Sequence, residues 1–164
     1  MKAQALRLLS RREHCRAELR GKLLNWAQRQ PDLLPAEGAD SALELAVEHT
    51  LDTLQSRGLL SDARATESLV AAKAGRYGQH RLRQLMQQRR LPDDLVTDAL
   101  QQLRGTERDR AAEVWRRRFG TPPGDARDRA RQIRFLIGRG FDADTAARTV
   151  DQGAKDAASG TLLD

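Results

Sequence analysis

Apolar side chains recur at every third or fourth position along most of this chain, which is the spacing that places them on one face of an α-helix. The clearest run is Leu43, Val47, Leu51 and Leu54, and eight further segments follow the same spacing before residue 152. No segment shows the strict alternation of apolar and polar residues that is typical of a half-buried β-strand. The pattern therefore predicts an all-α protein of nine helices.

One stretch of this pattern occurs twice in nearly the same form. Residues 84–100, QLMQQRRLPDDLVTDAL, and residues 134–150, RFLIGRGFDADTAARTV, each contain an apolar helical face, a break with arginine, an acidic start and a second apolar face. Each copy follows a basic helix that ends in an aromatic residue and glycine, AAKAGRYG at 71–78 and VWRRRFG at 114–120. A unit of three helices therefore repeats along the chain, and such units complete their cores against their neighbours.

The repeat predicts three tandem three-helix units of helix-turn-helix-like form. The first spans 1–61 with an enlarged loop at 27–40, the second spans 62–105, the third spans 106–152, and residues 153–164 are expected to form a flexible tail because they lack helical periodicity. In the first unit, SALE at residues 41–44 has the form of a capping box and predicts the start of the third helix.

The residue types needed for catalysis or metal binding are not grouped in this sequence. Cys15 is the only cysteine, so it forms no internal disulfide, and with His14, His49 and His80 it shows no metal-ligand spacing. The glycine-rich phosphate loops, the HExxH zinc motif and the GxSxG nucleophile motif are all absent from the sequence. We therefore expect a protein that is not an enzyme, with no catalytic residues, no metal site and no cofactor.

The sequence shows no signal for secretion or membrane insertion. No apolar run approaches the roughly 18 residues of a membrane span, and residues 1–15 lack the apolar stretch and cleavage site of a signal peptide. With 39% hydrophobic and only 4% aromatic residues, the chain is expected to build small helical cores from Leu, Ala and Val. We expect a cytoplasmic protein that does not bind membranes.

The net charge of +6 is unevenly distributed along the chain. Residues 1–61 carry 9 basic and 8 acidic side chains, whereas residues 62–105 carry 8 and 5 and residues 106–152 carry 11 and 8. The stretch 68–92 contains six Arg or Lys and no acid, which favours a surface that faces phosphates or an acidic partner. The alternative is an ordinary solvated surface, because a ratio of 25 Arg to 4 Lys can arise from coding bias.

Five ordered segments resemble the RecX family of bacterial recombination regulators, over about residues 3–150. They are ALRLLSRREHCRAELRGKL, RGLLSDARATESLV, GRYGQHRLRQL, AAEVWRRRFG and RQIRFLIGRGF. The resemblance implies an elongated, curved array of three three-helix repeats. This sequence departs from the family at Cys15, where Ser is usual and would cap a helix, and at Arg90, where Gly is common.

The resemblance also implies a partner. RecX proteins bind the RecA recombinase and lodge in the helical groove of its filament on single-stranded DNA, where they block filament growth and lower RecA's ATPase, strand-exchange and co-protease activities. Weak binding to bare single- or double-stranded DNA is a further expectation. From the resemblance and the charge distribution, we predict that the RecA filament or DNA is contacted by Lys73, Arg76, Tyr77, Arg81, Arg83, Arg89, Arg90, Arg116, Arg117, Arg131 and Arg134.

Other interpretations of these residues stay open. Three-helix units with basic helices also suit a sequence-independent nucleic-acid-binding protein of helix-turn-helix type, and a helical scaffold for another protein is a third class. Trp115 and Phe119 lie on the apolar stripe of their helix, which favours core packing over base stacking. GRYG at 75–78 matches the GxxG loop of KH domains, but that loop belongs to a fold with strands, so a plain helix end is favoured.

Overall fold

The computed structural model describes the backbone of residues 1–30 and 39–160 and the side chains of residues 1–30 and 41–156. Within these ranges the chain forms nine α-helices, one short 3-10 helix and no β-strand, which confirms the predicted all-α class. The helices are α1 (Lys2–Leu9), α2 (Arg16–Ala27), α3 (Ala39–Ser56), α4 (Asp62–Lys73), α5 (Gln79–Gln88), α6 (Asp93–Leu103), the 3-10 helix (Arg104–Thr106), α7 (Glu107–Arg118), α8 (Ala126–Gly138) and α9 (Ala143–Gly160). None of the helices described has both the length and the apolar content that a membrane crossing requires.

The helices fall into two compact units. The first unit consists of Met1–Ser68 with Gln87–Leu95, and the second consists of Leu69–Met86 with Val96–Asp164. The repeat boundaries predicted after residues 61 and 105 stay a prediction.

The core of the first unit is built from α1, α2, α3 and the turn that follows α3. All four residues of the predicted face of α3 are buried, so the apolar spacing correctly identified the inner side of that helix. Trp26 packs against this core and is half-buried. The buried members of the cluster are Ala5, Leu19, Leu23, Ala27, Leu43, Val47, Leu51, Leu54 and Leu60.

Cys15 caps α2 in spite of being a weak capping residue. Its Sγ atom accepts a hydrogen bond from the backbone N–H of Glu18 at 3.4 Å, and its thiol donates to the carbonyl oxygen of Arg89 at 2.8 Å. Burial raises the pKa of the Cys15 thiol, which keeps it protonated and able to donate. Arg90 has a φ of 57°, in the left-handed region, so this turn keeps the glycine-like conformation expected there at a cost of about 1 kcal/mol.

The core of the second unit is formed by α7, α8, α9 and the turn before α9. Trp115 is 6% exposed, which confirms the expectation that it is a core residue. Its indole N–H donates to Oε1 of Gln132 at 2.6 Å, and the amide of Gln132 donates to Asp128 at 3.1 Å. This polar chain satisfies the buried Gln132 within an otherwise apolar cluster. The apolar members are Ala111, Val114, Trp115, Leu136, Phe141, Ala146 and Val150.

Two turns of the second unit meet backbone to backbone at Gly78 and Gly140. The N–H of Gly78 donates to the carbonyl oxygen of Arg139 at 3.0 Å, and the N–H of His80 donates to the carbonyl oxygen of Gly140 at 3.1 Å. A Cβ atom on Gly78 would lie 2.3 Å from the carbonyl oxygen of Gly140. A Cβ atom on Gly140, whose φ is +87°, would lie 2.4 Å from the backbone nitrogen of Arg81. Neither position therefore accommodates a side chain.

The expectation that residues 153–164 form a flexible tail is wrong for residues 153–160, because α9 continues to Gly160. Gly153 lies within this helix and packs on the indole of Trp115, where a Cβ atom would approach Cη2 to 2.3 Å. The helix continues because a glycine here permits close packing, and because the following residues include several alanines, which favour helix. Residues 161–164 of the predicted tail lie outside the described residues.

The predicted start of α3 at SALE is also wrong. The helix already includes Ala39, so Ser41 lies inside its first turn. A serine followed by glutamate three residues later can lie inside the first turn of a helix as well as at its N-cap. The spacing alone does not distinguish these two positions. Of the predicted loop at 27–40, Ala27 ends α2 and residues 31–38 lie outside the described residues.

Replacing Gly140 by Ala is expected to destabilise the second unit by about 2 kcal/mol or more, because the new methyl group would meet backbone atoms and the residue would have to keep a left-handed conformation. Gly138→Ala is the matched control, since nothing lies within 4 Å of its Cβ position. Urea denaturation followed by circular dichroism compares the two variants. An unchanged unfolding midpoint for Gly140→Ala would contradict the close contact.

Candidate functional site

The turn between α4 and α5, residues 74–78, is held by the first two turns of α7. The guanidinium of Arg110 donates to the carbonyl oxygens of Ala74 at 3.1 Å and Tyr77 at 2.8 Å, and also to that of Leu103 at 3.4 Å. The first two bonds satisfy carbonyl groups in the turn that follows α4, and the third reaches a carbonyl group at the end of α6. Burial lowers the pKa of Arg110, but an arginine starts from so high a value that it stays charged at neutral pH.

Glu107, one turn earlier on α7, holds the other side of the same turn. Its Oε1 atom accepts a hydrogen bond from the backbone N–H of Gln79, the first residue of α5, at 3.0 Å. A carboxylate at a helix N-terminus is favoured both by the free N–H groups and by the helix dipole. Arg110 and Glu107 together fix the backbone that carries Arg76 and Tyr77.

A groove of about 340 Å³ opens beside this turn. We call it the arginine groove, and no carboxylate is among its lining residues. Its lining comes from the α4–α5 turn, the second half of α7 and the end of α8. The lining residues are Gly75, Arg76, Val114, Arg117, Arg118, Phe135 and Arg139.

The ring of Phe135 supports two of these arginines. The guanidinium carbon of Arg139 lies 5.1 Å from the ring centroid and that of Arg118 lies 6.0 Å from it. Arg139 also lies 5.7 Å from the ring centroid of Tyr77, and Phe119 meets Phe135 edge to face at 5.3 Å. Guanidinium groups are attracted to aromatic faces, and this contact orients the cations without neutralising them.

The structure brings some of the predicted contact residues into this site. Arg76 and Arg117 line the arginine groove, and Tyr77 lies next to Arg139 at its edge. Lys73 is half-buried at the end of α4, whereas Arg81 and Arg83 are exposed on α5. The structure does not place these last three residues in the groove.

The remaining predicted residues lie elsewhere or are already paired. Arg116 pairs with Glu113 at 3.1 Å, and the same carboxylate binds Arg117 of the groove at 2.6 Å. Arg131 pairs with Asp128 at 2.6 Å. Arg131 and Arg134 line a separate cavity of about 440 Å³ on α8, and Arg89 and Arg90 belong to the first unit.

Sequence patterns did not identify Arg118, Arg139 and Phe135 as site residues or Arg110 as their support. Arg139 stands between two glycines in the quoted segment RQIRFLIGRGF, and that was the only local signal available. Helical spacing does not show that the turn at residue 77 meets the turn at residue 139. Among the residues that the structure describes, no group of three or more His, Cys, Asp or Glu could hold a metal ion.

Comparisons with known proteins identify the family of this chain. The models described as the first, second and third three-helix domains of RecX match residues 2–27, 61–100 and 106–150. A protein named regulatory protein RecX from Leptothrix cholodnii is 47% identical over 92% of this chain and 87% of its own length. The chain belongs to the RecX family. A second RecX relative, from Ralstonia nicotianae, is 44% identical over 94% of this chain and 87% of its own length.

Solved RecX structures share the fold of this chain. The crystal structure of RecX from Lactobacillus salivarius superposes with a TM-score of 0.66 at 18% identity, covering 92% of both chains. Another RecX crystal structure gives a TM-score of 0.65 at 21% identity over 92% of this chain and 73% of its own. The resemblance that the five sequence segments indicated is therefore confirmed, and the relatives are named as regulatory proteins.

Replacing Arg110 by Met is expected to cost about 2 kcal/mol of stability, because the half-buried carbonyl groups of Ala74 and Tyr77 lose a charged donor. Arg108→Met, an exposed change on the same helix, is the control and should alter stability by less than about 0.5 kcal/mol. Urea denaturation measures the stabilities, and amide hydrogen exchange over residues 74–79 should accelerate only in the Arg110 variant. Equal exchange rates in both variants would show that Arg110 does not hold the turn.

Proposed function

We propose that this protein is a RecX-type regulator that binds RecA and its filament on single-stranded DNA and inhibits filament growth, ATPase, strand exchange and co-protease activity. The proposal rests on the match to all three RecX domains and on 47% identity to a regulatory protein RecX over most of the chain. The protein would act by occupying its partner and not by catalysis. Its place would be the cytoplasm, with RecA and DNA.

We further propose that the basic residues predicted from the sequence contact the filament. Exposure of Arg76, Arg81 and Arg83 supports this proposal, since each can approach a partner without unfolding. Of these, Arg76 and Arg83 have no ion pair within the part of the chain that the structure describes, and Arg81 has only a hydrogen bond to Gln84, at 3.1 Å. Unpaired cations repel one another, and an anionic partner relieves that repulsion.

Added protein is expected to lower the DNA-dependent ATPase of RecA in a dose-dependent way, because blocked filament growth leaves fewer active subunits. Steady-state ATP hydrolysis by RecA on single-stranded DNA measures the effect, and strand exchange provides a second readout. Unchanged RecA turnover at an excess of this protein would overturn the proposed function.

The contact surface is tested by replacing Lys73, Arg76 and Arg83 with Ala. Arg76 and Arg83 are exposed and Lys73 is half-buried, so each change should alter stability by about 0.5 kcal/mol or less, while binding to RecA filaments should weaken by about tenfold or more. Co-sedimentation with filaments measures binding, and circular dichroism checks that both variants keep their helicity.

The matched control replaces Arg7, Arg11 and Lys22 in the first unit, which removes the same charge. If both variants retain filament binding equally, the proposed surface is wrong. If only the control loses binding, the contact surface lies in the first unit. A protein that only binds nucleic acid would instead bind bare DNA with steep salt dependence and would need no RecA.

A further inference from the structure

We propose that Cys15 is a positioning residue for partner binding, because its thiol holds the turn between α5 and α6, residues 89–92, in the conformation that presents Arg90. The inference rests on the proposed function, in which Arg90 contacts the RecA filament. It adds a role for a side chain that is only 1% exposed and so acts through another residue.

The first observation is the backbone conformation of Arg90. Its φ is 57°, and among the residues that the structure describes it is the only one other than glycine with a positive φ. A residue with a Cβ atom disfavours this left-handed conformation by about fivefold or more relative to an ordinary one. Such conformations persist where the surrounding structure holds them, and they are concentrated at functional sites.

The second observation is the position of the Cys15 sulfur relative to this turn. The thiol donates to the carbonyl oxygen of Arg89 at 2.8 Å and lies 3.8 Å from the carbonyl oxygen of Arg90. These two carbonyl groups belong to the peptide groups on either side of the Arg90 Cα atom. Because peptide groups are planar, holding both of them restrains φ and ψ of Arg90.

The third observation is that Cys15 is itself fixed independently of the turn. On one side of it, the N–H of Arg16 donates to Oδ1 of Asp62 at 2.6 Å. On the other side, Glu13 pairs with Arg64 at 2.9 Å. All of these residues belong to the first compact unit, as does the turn at 89–92. The thiol is therefore a fixed point from which the turn can be held.

The side chain of Arg90, in contrast to its backbone, is free. It is exposed, and its guanidinium forms no ion pair or hydrogen bond with any residue that the structure describes. By comparison, Arg16 and Arg64 in the same unit are both paired with carboxylates. A cation with a fixed backbone and no internal partner can bind an anionic group without first breaking a contact, which fits a partner contact.

A nucleophilic or metal-binding role for this thiol is disfavoured by its surroundings. Burial raises the pKa of Cys15, so the thiol stays protonated and keeps its donor at neutral pH. No group of three or more His, Cys, Asp or Glu within the described part of the chain could hold a metal ion. The hydrogen bond to the turn is the chemistry that this environment supports.

The test compares Cys15→Ala with Cys15→Ser in the full chain. Both replacements shorten the side chain, but serine keeps a donor for the carbonyl oxygen of Arg89. Co-sedimentation with RecA filaments should show about fivefold weaker binding for Cys15→Ala and a change of less than about twofold for Cys15→Ser. The reason is that the apparent affinity falls with the fraction of molecules whose turn has the binding conformation.

A double-mutant cycle distinguishes positioning of Arg90 from a general loss of stability. Arg90→Gln removes the charge but still places a side chain at the same positive φ. In that background, Cys15→Ala should weaken filament binding by less than about a further twofold. The matched control is Ala17→Gly, which destabilises the first turn of α2 but keeps the thiol and should leave binding within about twofold.

Amide hydrogen exchange gives a readout that does not require RecA. The N–H of Arg90 is bonded to the carbonyl oxygen of Gln87 at 2.8 Å, so its exchange rate reports opening of the turn. Exchange at this amide should accelerate by about fivefold or more in Cys15→Ala and by less than about twofold in Cys15→Ser. Circular dichroism checks that all variants keep their helicity.

Three results would overturn the inference and leave the proposed function intact. They are unchanged filament binding by Cys15→Ala, equal weakening by Cys15→Ala and Cys15→Ser, and a fivefold loss that persists when Arg90 is already Gln. Failure of the unaltered protein to bind filaments would instead overturn the proposed function and with it the partner contact of Arg90. The exchange rates would then still show whether Cys15 holds the turn.

Discussion

The second unit depends on the direct contact between two turns at Gly78 and Gly140. Main-chain hydrogen bonds from Gly78 and His80 to the carbonyl groups of Arg139 and Gly140 join segments that lie some sixty positions apart in sequence. The contact is possible only without side chains, since a Cβ atom at either glycine would overlap backbone atoms. Tyr77 precedes one glycine and Arg139 precedes the other, so the same contact also brings an aromatic ring next to a guanidinium.

The beginning, middle and end of helix α7 each contribute to connecting this contact with the arginine groove. Its first turns hold the α4–α5 turn through Glu107 and Arg110. Its middle carries Trp115 into the core, and its last turn presents Arg117 and Arg118 to the groove. Cations at a helix C-terminus are stabilised by the helix dipole, so the run of arginines is electrostatically suited to its position. The groove geometry is therefore set by the helix that also anchors the core.

Arginines are paired with carboxylates in both units, whereas three of the four arginines in the arginine groove have no ion pair with any residue that the structure describes. In the first unit, four arginines on α2 and neighbouring segments are paired with carboxylates, while Arg7, Arg11 and Arg57 are exposed. In the arginine groove, Arg76, Arg118 and Arg139 have aromatic or solvent surroundings in place of carboxylates. The paired arginines of the first unit are Arg12 with Glu18, Arg16 with Glu48 and Asp52, Arg20 with Glu44 and Glu48, and Arg64 with Glu13.

The sequence by itself determined the helical class, the inner face of α3, the core position of Trp115 and the family, because helical spacing and short ordered motifs are local properties. It did not determine where α9 ends, since a glycine such as Gly153 breaks a helix in isolation yet permits close packing against an indole. The arginine groove was decided by tertiary structure alone. Arg76 was predicted from charge, but its meeting with Arg118 and Arg139 depends on the contact at Gly140 and on the hydrogen bonds of Arg110. Such contacts join residues distant in the chain, and spacing along one segment carries no information about them.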